Sequence, residues 1–471
     1  MYNNRRKLVA TVLVSVLCFA AAQAGVSAFP NRADVQAAVT RQVVNGQKSN
    51  LRSFAGKYRP ALFERFLKYV SYNRQSQENE PITPDQIETA KKLYAEIKAM
   101  GLDVTLTKHH YIFVKIPSNL SVQVPVLGYS AHYDVTPGIE ADNVKARVIK
   151  NYDGNPIVLG NNQVIDPAKD NGTYLPTQVG KTIVTSDGNT LLGADDGAGV
   201  SILMTFMQTL AENPTKPHGE IQIVLAPNED VGRAADDIKE TPYHPEIAFD
   251  FDGGSGGRVI TENFNATTEL FTVTGVPGHQ SYAATNGYRN AWTAACKLGK
   301  KVCPKKLMPN FSKGRDGYAE LHHINPPDDK FYIAILNVRL RGFDTKKMAE
   351  QRQKADKSAK KIAKEYDVTI THQTIDSYKN VGNIAHPAAL EVTQRAFAKA
   401  QVNINVEYAR AGTTAAMFAT KGLVGAYTIF TGQNNPHNYT EWLSEEDMFH
   451  AYVISIALMD EVANLRPAVA K

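Results

Sequence analysis

The sequence predicts an α/β protein in which a smaller α/β sandwich is inserted into a larger domain. Three observations predict it. Apolar runs of strand length alternate with helical patterns from about 100 to 255. Acids and histidines fall where those runs end. Residues 267–378 carry a strand and helix order of their own, after which a helix resumes. At 471 residues the chain is long for one core and suits about two domains.

Residues 1–24 read as a secretory signal. "NNRRK" is a basic start, and "LVATVLVSVLCFAAA" is too short for a comfortable membrane span. "AQA" at 22–24 is a small-x-small cleavage pattern, and "VSA" at 26–28 is a second one. The expectation is an exported protein, periplasmic or secreted, with no stable membrane anchor after cleavage. An uncleaved anchor is the alternative. Cys18 follows the bulky Val16-Leu17 pair, a poor context for lipidation. Cleavage removes Arg5, Arg6 and Lys7 and no acid, so the formal charge falls from +5 to +2. Nothing in that balance argues for a nucleic-acid partner.

From 60 to 100, "ALFERFLKYVSY" and "PDQIETAKKLYAEIKAMG" show apolar residues at helical spacing, and the second stops at Gly101. "DVTLTKHHYIFVKI" and "VPVLGYSAHYDVTP" follow as strands. The Asn-, Asp- and Gly-rich stretch 138–190 reads as an excursion with short strands. "TLLGADDGAGVSILMTFMQTLAEN" turns into an apolar helix. "GEIQIVLAPNEDVG" is strand then turn, and "EIAFDFDGGSGG" is strand then loop.

Within 267–378 the expected order is β-α-β-α-β: "TELFTVTGVPGHQS", a helix from about 289, "FYIAILNVRLRGFD", a Lys/Ala helix at 346–365 and "VTITHQTIDSY". The Lys/Ala run reads as a solvated helix face. "HPAALEVTQRAFAKAQV" then returns to the larger domain, whose two parts span 57–266 and 379–471. Cys296 and Cys303 on one continuous helix would lie ~10 Å apart, too far to bond. Gly299 could break that helix, so a disulfide stays open.

Four loops gather acids and histidines: "SAHYDVTP" with His132 and Asp134, "GADDGAG" with Asp195 and Asp196, "PNEDVG" with Glu229 and Asp230, and "DFDGG" with Asp252. In open α/β sheets ligands bind at the carboxyl ends of strands. Singly each loop has a plain reading: a structural histidine, a helix cap, a polar turn. Four together, with oxygen and imidazole donors and no thiols, suit Zn2+, Mn2+ or Co2+ in an open catalytic site. Residues two apart in a strand share a face, so Asp134 could support His132 from behind.

"HYDVTP", "DGNTLLGADDGAG", "PNEDVG", "DFDGG", "ENFNA", "RGFD", "ARAGTT" and "IFTGQNNPHNYTEW" occur in this order. From about residue 60 to its end the chain thus resembles the peptidase T (tripeptide aminopeptidase) branch of the M20 zinc metallopeptidases. The resemblance implies a zinc-exopeptidase-type domain, a mixed sheet with helices on both faces, and an inserted lid and dimerisation domain. It implies two zinc ions, with Asp195 bridging, His132 and Asp252 completing one site and Asp230 and His437 the other. Glu229 would be the general base, and Asp134 would orient His132.

It further implies a homodimer acting on short peptides, with His279, Arg341, Asn380 and Arg410 on the substrate. A dipeptidase or N-acyl amino acid amidohydrolase of the same family, or a non-catalytic peptide binder, are the alternatives. Several positions depart from the branch. Asn228-Glu229-Asp230 stands for Asp-Glu-Glu, Ala411 and Thr414 stand for Gly and Asp, and "GVPGHQSY" lacks a His-Pro-Gly order. Export also departs from a family that is cytoplasmic.

Overall fold

Strands that are apolar along their whole length need cover on both faces. The computed structural model provides it, describing residues 51–78, 81–169, 172–325 and 330–465. The signal expected at 1–24 lies outside the described residues. An eight-stranded mixed sheet runs Asp103–Leu106, Ile112–Ile116, Ile221–Ala226, Leu127–His132, Ile247–Gly253, Ala426–Phe430, Arg258–Asn263, Asn405–Ala409. The four strands from Ile221–Ala226 to Ala426–Phe430 are mutually parallel.

Alternation along Ile221–Ala226 shows the two-sided burial. Ile221, Ile223 and Leu225 join a core with the helices Arg59–Val70, Ala194–Glu212, Ala389–Ala400 and Glu445–Ala463. Val224 and Ala226 join another, with Phe113, Tyr243 and Phe418. In the first core Tyr129 meets Phe206 and Phe251 edge-on, centroids 5.2 and 5.3 Å apart, an arrangement aromatic rings favour. The helix Pro84–Ala99 starts at Thr83, whose side chain accepts from the Gln86 amide, with Pro84 in its first turn. Among the described residues no helix is long and apolar enough to cross a membrane.

Register sets the position of the site. His132 pairs with Ala226, and Ser130 with Asp250. The strands Leu127–His132, Ile221–Ala226 and Ile247–Gly253 therefore end at one edge of the sheet. The chain leaves that edge as His132 to Asp134, as Pro227 to Asp230, and through Asp252.

A second, four-stranded antiparallel sheet runs Tyr318–Asn325, Ile333–Gly342, Asn265–Thr274, Thr369–Tyr378. It packs against the helices Ala291–Val302 and Thr345–Tyr366 around a core of its own, with Phe271, Val273, Leu298, Leu336 and Ile362. The order is β-α-β-β-α-β, one strand more than the sequence suggested. The additional strand, Tyr318–Asn325, lies at the sheet edge with His322 and His323 exposed. Its burial does not alternate along its length, so it carries no strand periodicity. The helix Ala291–Val302 runs unbroken through Gly299, and Cys296 and Cys303 are both free thiols. The 138–190 excursion contributes Arg147–Ile149 and Ile183–Thr185 to a small sheet with Gln433–Asn434 and Trp442–Ser444.

Candidate metal centre

The "PNED" turn begins at Pro227, which closes the strand. Asn228 then takes a left-handed conformation, φ 56°, which Asn tolerates better than most residues. Its side-chain oxygen accepts from Gln86 Nε2 at 2.9 Å, and its Nδ2 donates to the Pro81 carbonyl. The next two amides, of Glu229 and Asp230, both donate to the Asp134 carboxylate, at 2.9 and 3.2 Å. Asp134 Oδ1 also lies 3.3 Å from His132 Nδ1, an ion-pair distance without the alignment of a hydrogen bond. Asp134 thus ties the turn to the histidine strand. Its hold on the turn was not foreseen from the sequence.

The second acid pair divides its work in the same way. Asp196 is buried and accepts from the amides of Gly199, at 2.8 Å, and His132, at 3.2 Å. It is therefore the helix-start cap that a plain reading of "GADDGAG" expects. Gly199 must be glycine, because a Cβ there would lie 2.0 Å from the Phe251 carbonyl oxygen. Asp195 is left to face the histidines. Its Oδ1 is 3.0 Å from His132 Nε2 and its Oδ2 is 3.2 Å from His437 Nε2. Asp230 Oδ1 is 2.8 Å from His437 Nε2, so the shorter acid still reaches. Asp252 Oδ1 lies 3.7 Å from His132 Nε2, and Glu229 Oε2 lies 3.8 Å from it.

The supporting roles of three residues escaped the sequence reading, although Thr414 was noted there as a departure from the family. The buried Glu441 accepts from the amides of Leu192, Gly193 and Asp195, at 2.9, 2.7 and 2.9 Å. The buried Arg74 donates to the carbonyls of Tyr133, Asp134 and Gly193. Thr414 donates to Glu229 Oε1 at 3.1 Å. Glu441 was visible only as the acid of "YTEW", a few residues beyond His437. Arg74 carried no local signal.

Burial dominates the electrostatics. It pushes Glu229 up to about 8, Asp230 to about 7 and Asp252 to about 8, and neighbouring acids add to the effect. Burial also opposes the Asp195 carboxylate, but hydrogen bonds from His132 and His437 outweigh it and hold Asp195 below the usual range. Hydrogen bonds to Asp195 and Asp230 raise His437 to about 11. So dense a group of buried carboxylates calls for compensating positive charge, which dications would supply in a dry site.

The donor set fits such ions. One atom each of His132, Asp195 and Asp230 can be chosen so that all lie within 4.8 Å of one another. Asp230 Oδ2 is buried without a hydrogen-bond partner. Imidazole nitrogens and carboxylate oxygens without thiolates are the ligands of an open hydrolytic centre.

The four residues expected on the substrate make the following hydrogen bonds. His279 sits on an exposed turn and accepts from the Ser281 amide at 3.2 Å. Arg341 donates to the carbonyls of Thr267 and Leu340. The buried Asn380 accepts from the amides of Asn263 and Gly382. Arg410 donates to the carbonyls of Gly314, Asp316 and Ser312.

No protein-family model matches the chain. Among curated proteins it is 33% identical to a Peptidase T from Halothermothrix orenii, covering 81% of this chain and 93% of that protein. It is 30% identical to a Peptidase T from Clostridium acetobutylicum, covering 85% and 98%. Among solved structures it is similar to an aminopeptidase PepT from Bacillus cereus, with a TM-score of 0.64 at 18% identity over 86% of this chain and 99% of that one. A dinuclear metal binding peptidase of the M20 family from Bacillus subtilis superposes with a TM-score of 0.60 at 12% identity, covering 86% and 99%. These relatives overturn the expectation of a periplasmic or secreted protein, because peptidase T is a cytosolic enzyme. The segment that suggested export lies outside the described residues.

Proposed function

The chain belongs to the peptidase T family of M20 metallopeptidases, and from that premise we propose that it is a dinuclear aminopeptidase releasing the N-terminal residue of short peptides. In this proposal His132 and Asp252 hold one divalent cation, Asp230 and His437 hold the other, and Asp195 bridges them. Zinc is the expected metal, with manganese or cobalt as alternatives. The observation that carries the reading is Asp195, whose two oxygens face two different histidines at 3.0 and 3.2 Å. A carboxylate held that way is placed to serve two ions at once.

The bound ions would polarise the scissile carbonyl and acidify the attacking water. The protein's own part is proton movement. Glu229 is assigned no ion in this proposal, so its lone pairs stay free. It would take the proton of the attacking water and return it to the leaving amine. Asp134 supports this from behind, holding the Glu229 amide while lying beside His132. The unit at 267–378 is proposed as the lid and the site of homodimer contact. Roles for His279, Arg341, Asn380 and Arg410 toward substrate rest on the motif resemblance.

A panel of dipeptides, tripeptides and acyl-amino acids, with products identified by mass, tests the substrate class. Release of the N-terminal residue from tripeptides is expected; cleavage confined to acyl-amino acids would contradict it. Glu229→Gln should lower kcat by about 10²–10⁴-fold with metal still bound. Parental cleavage by that variant would remove Glu229 from the mechanism.

A further inference from the structure

Glu229 shows its two oxygens to different neighbours. Oε2 lies toward the cluster, 3.8 Å from His132 Nε2. Oε1 accepts from Thr414 Oγ1 at 3.1 Å. Thr414 is fully buried and opens the helix Thr414–Thr420. That opening turn is fixed on two sides. The Thr413 side chain accepts from the Ala416 amide at 3.2 Å. The helix also packs against the strands Leu127–His132 and Ile247–Gly253, which are joined there by the hydrogen bond from Ser130 Oγ to the Asp250 carboxylate at 2.5 Å. Ser130 and Asp250 sit on the strands that carry His132 and Asp252. The hydroxyl of Thr414 is therefore referenced to the same two strands as the metal ligands.

A glutamate has three side-chain torsions, and a base must sit within hydrogen-bond reach of the proton it moves. Tethering one oxygen restricts those torsions and leaves the other oxygen directed at the cluster. We propose that Thr414 is the positioning residue of the general base, holding Glu229 Oε1 so that Oε2 does the proton transfer. A hydroxyl suits this task. It can donate to Oε1 whether or not Oε2 carries a proton, so the tether persists through turnover. A carboxylate in its place would lack that donor when ionised. The proposal rests on the reading of Glu229 as the base.

The test compares Thr414→Val, which keeps the branched shape and removes the hydroxyl, with Thr414→Ser, which keeps the hydroxyl. Tripeptide cleavage, metal content per chain and melting temperature are measured for each. For Thr414→Val, kcat is expected to fall on the order of tenfold, with KM, metal content and melting temperature near parental values. Thr414→Ser should restore kcat. In a Glu229→Gln background, Thr414→Val should cost nothing further.

A parental kcat in Thr414→Val would overturn the proposal. So would a loss confined to KM, failure of Thr414→Ser to rescue, or a further loss in the Glu229→Gln background. If Thr414→Val lowers the melting temperature, Thr414→Ala against Thr414→Ser gives the same comparison of hydroxyl present and absent. Parental cleavage by Glu229→Gln itself would remove the base. An inactive Glu229→Gln beside a fully active Thr414→Val would remove only Thr414.

Discussion

Asp134 is fully buried, and it touches the amides of Glu229 and Asp230 as well as the ring of His132. An Asn at this position offers one acceptor oxygen and a donor amide. The two amides of the turn go to different oxygens of Asp134, so in the same pose one of them would face the donor Nδ2 instead of an acceptor. Asp134→Asn should therefore weaken metal binding about 10–100-fold and displace the base together with a ligand. Isothermal titration of the metal-free variant with zinc measures the first effect. Parental affinity in that titration would show that the turn holds itself. The adjacent pairs Glu229-Asp230 and Asp195-Asp196 share this logic. In each pair one acid faces His437 and the other has a separate task, because the backbone turns between them.

The turns are themselves held by elements distant in sequence. Glu441 accepts three amides of the Leu192 to Asp195 turn. Burial pushes its carboxyl up to about 7, against the pull of those amides. Glu441→Ala would leave buried donors unpaired and should destabilise the protein by about 2–4 kcal/mol. Chemical denaturation measures this, and an unchanged midpoint would contradict it.

The four-stranded sheet has a charge network of its own. Burial disfavours the Glu269 carboxylate, but His372, Arg352, Thr267 and Thr374 outweigh it and hold Glu269 at about 2. Its contribution to stability is present above its ordinary ~4.3 and is lost as pH falls through about 2. The hydrogen bond to Glu269 raises His372, and Asp356 adds to it. That contribution is complete below the ordinary ~6.5 and fades as pH rises through the raised value. Melting temperature followed upward from pH 6 should fall, and His372→Gln should flatten that slope. An equal slope in both proteins would remove His372 as its source.

At the scale of the molecule, legibility followed distance along the chain. His132, Asp230 and Asp252 could be read because each lies at or just beyond the end of an apolar strand and such ends converge, and Asp195 because it opens an apolar helix. Glu441 to Asp195 spans 246 residues, Arg74 to Gly193 spans 119 and Thr414 to Glu229 spans 185. No local pattern encodes contacts of that kind. The edge strand Tyr318–Asn325 was missed because its exposed histidines break the alternation a half-buried strand shows. Arg341, Asn380 and Arg410 matched motif positions, and their bonds to backbone carbonyls and amides had no local signal in the sequence.

The central claim is a two-ion centre bridged by Asp195, and metal stoichiometry tests it most directly. Protein depleted of metal and reloaded with zinc should carry two ions per chain by elemental analysis. Asp195→Asn, with one acceptor oxygen fewer, should not hold both ions under the same loading. A single ion in the parent protein, or two retained by Asp195→Asn, would contradict the account.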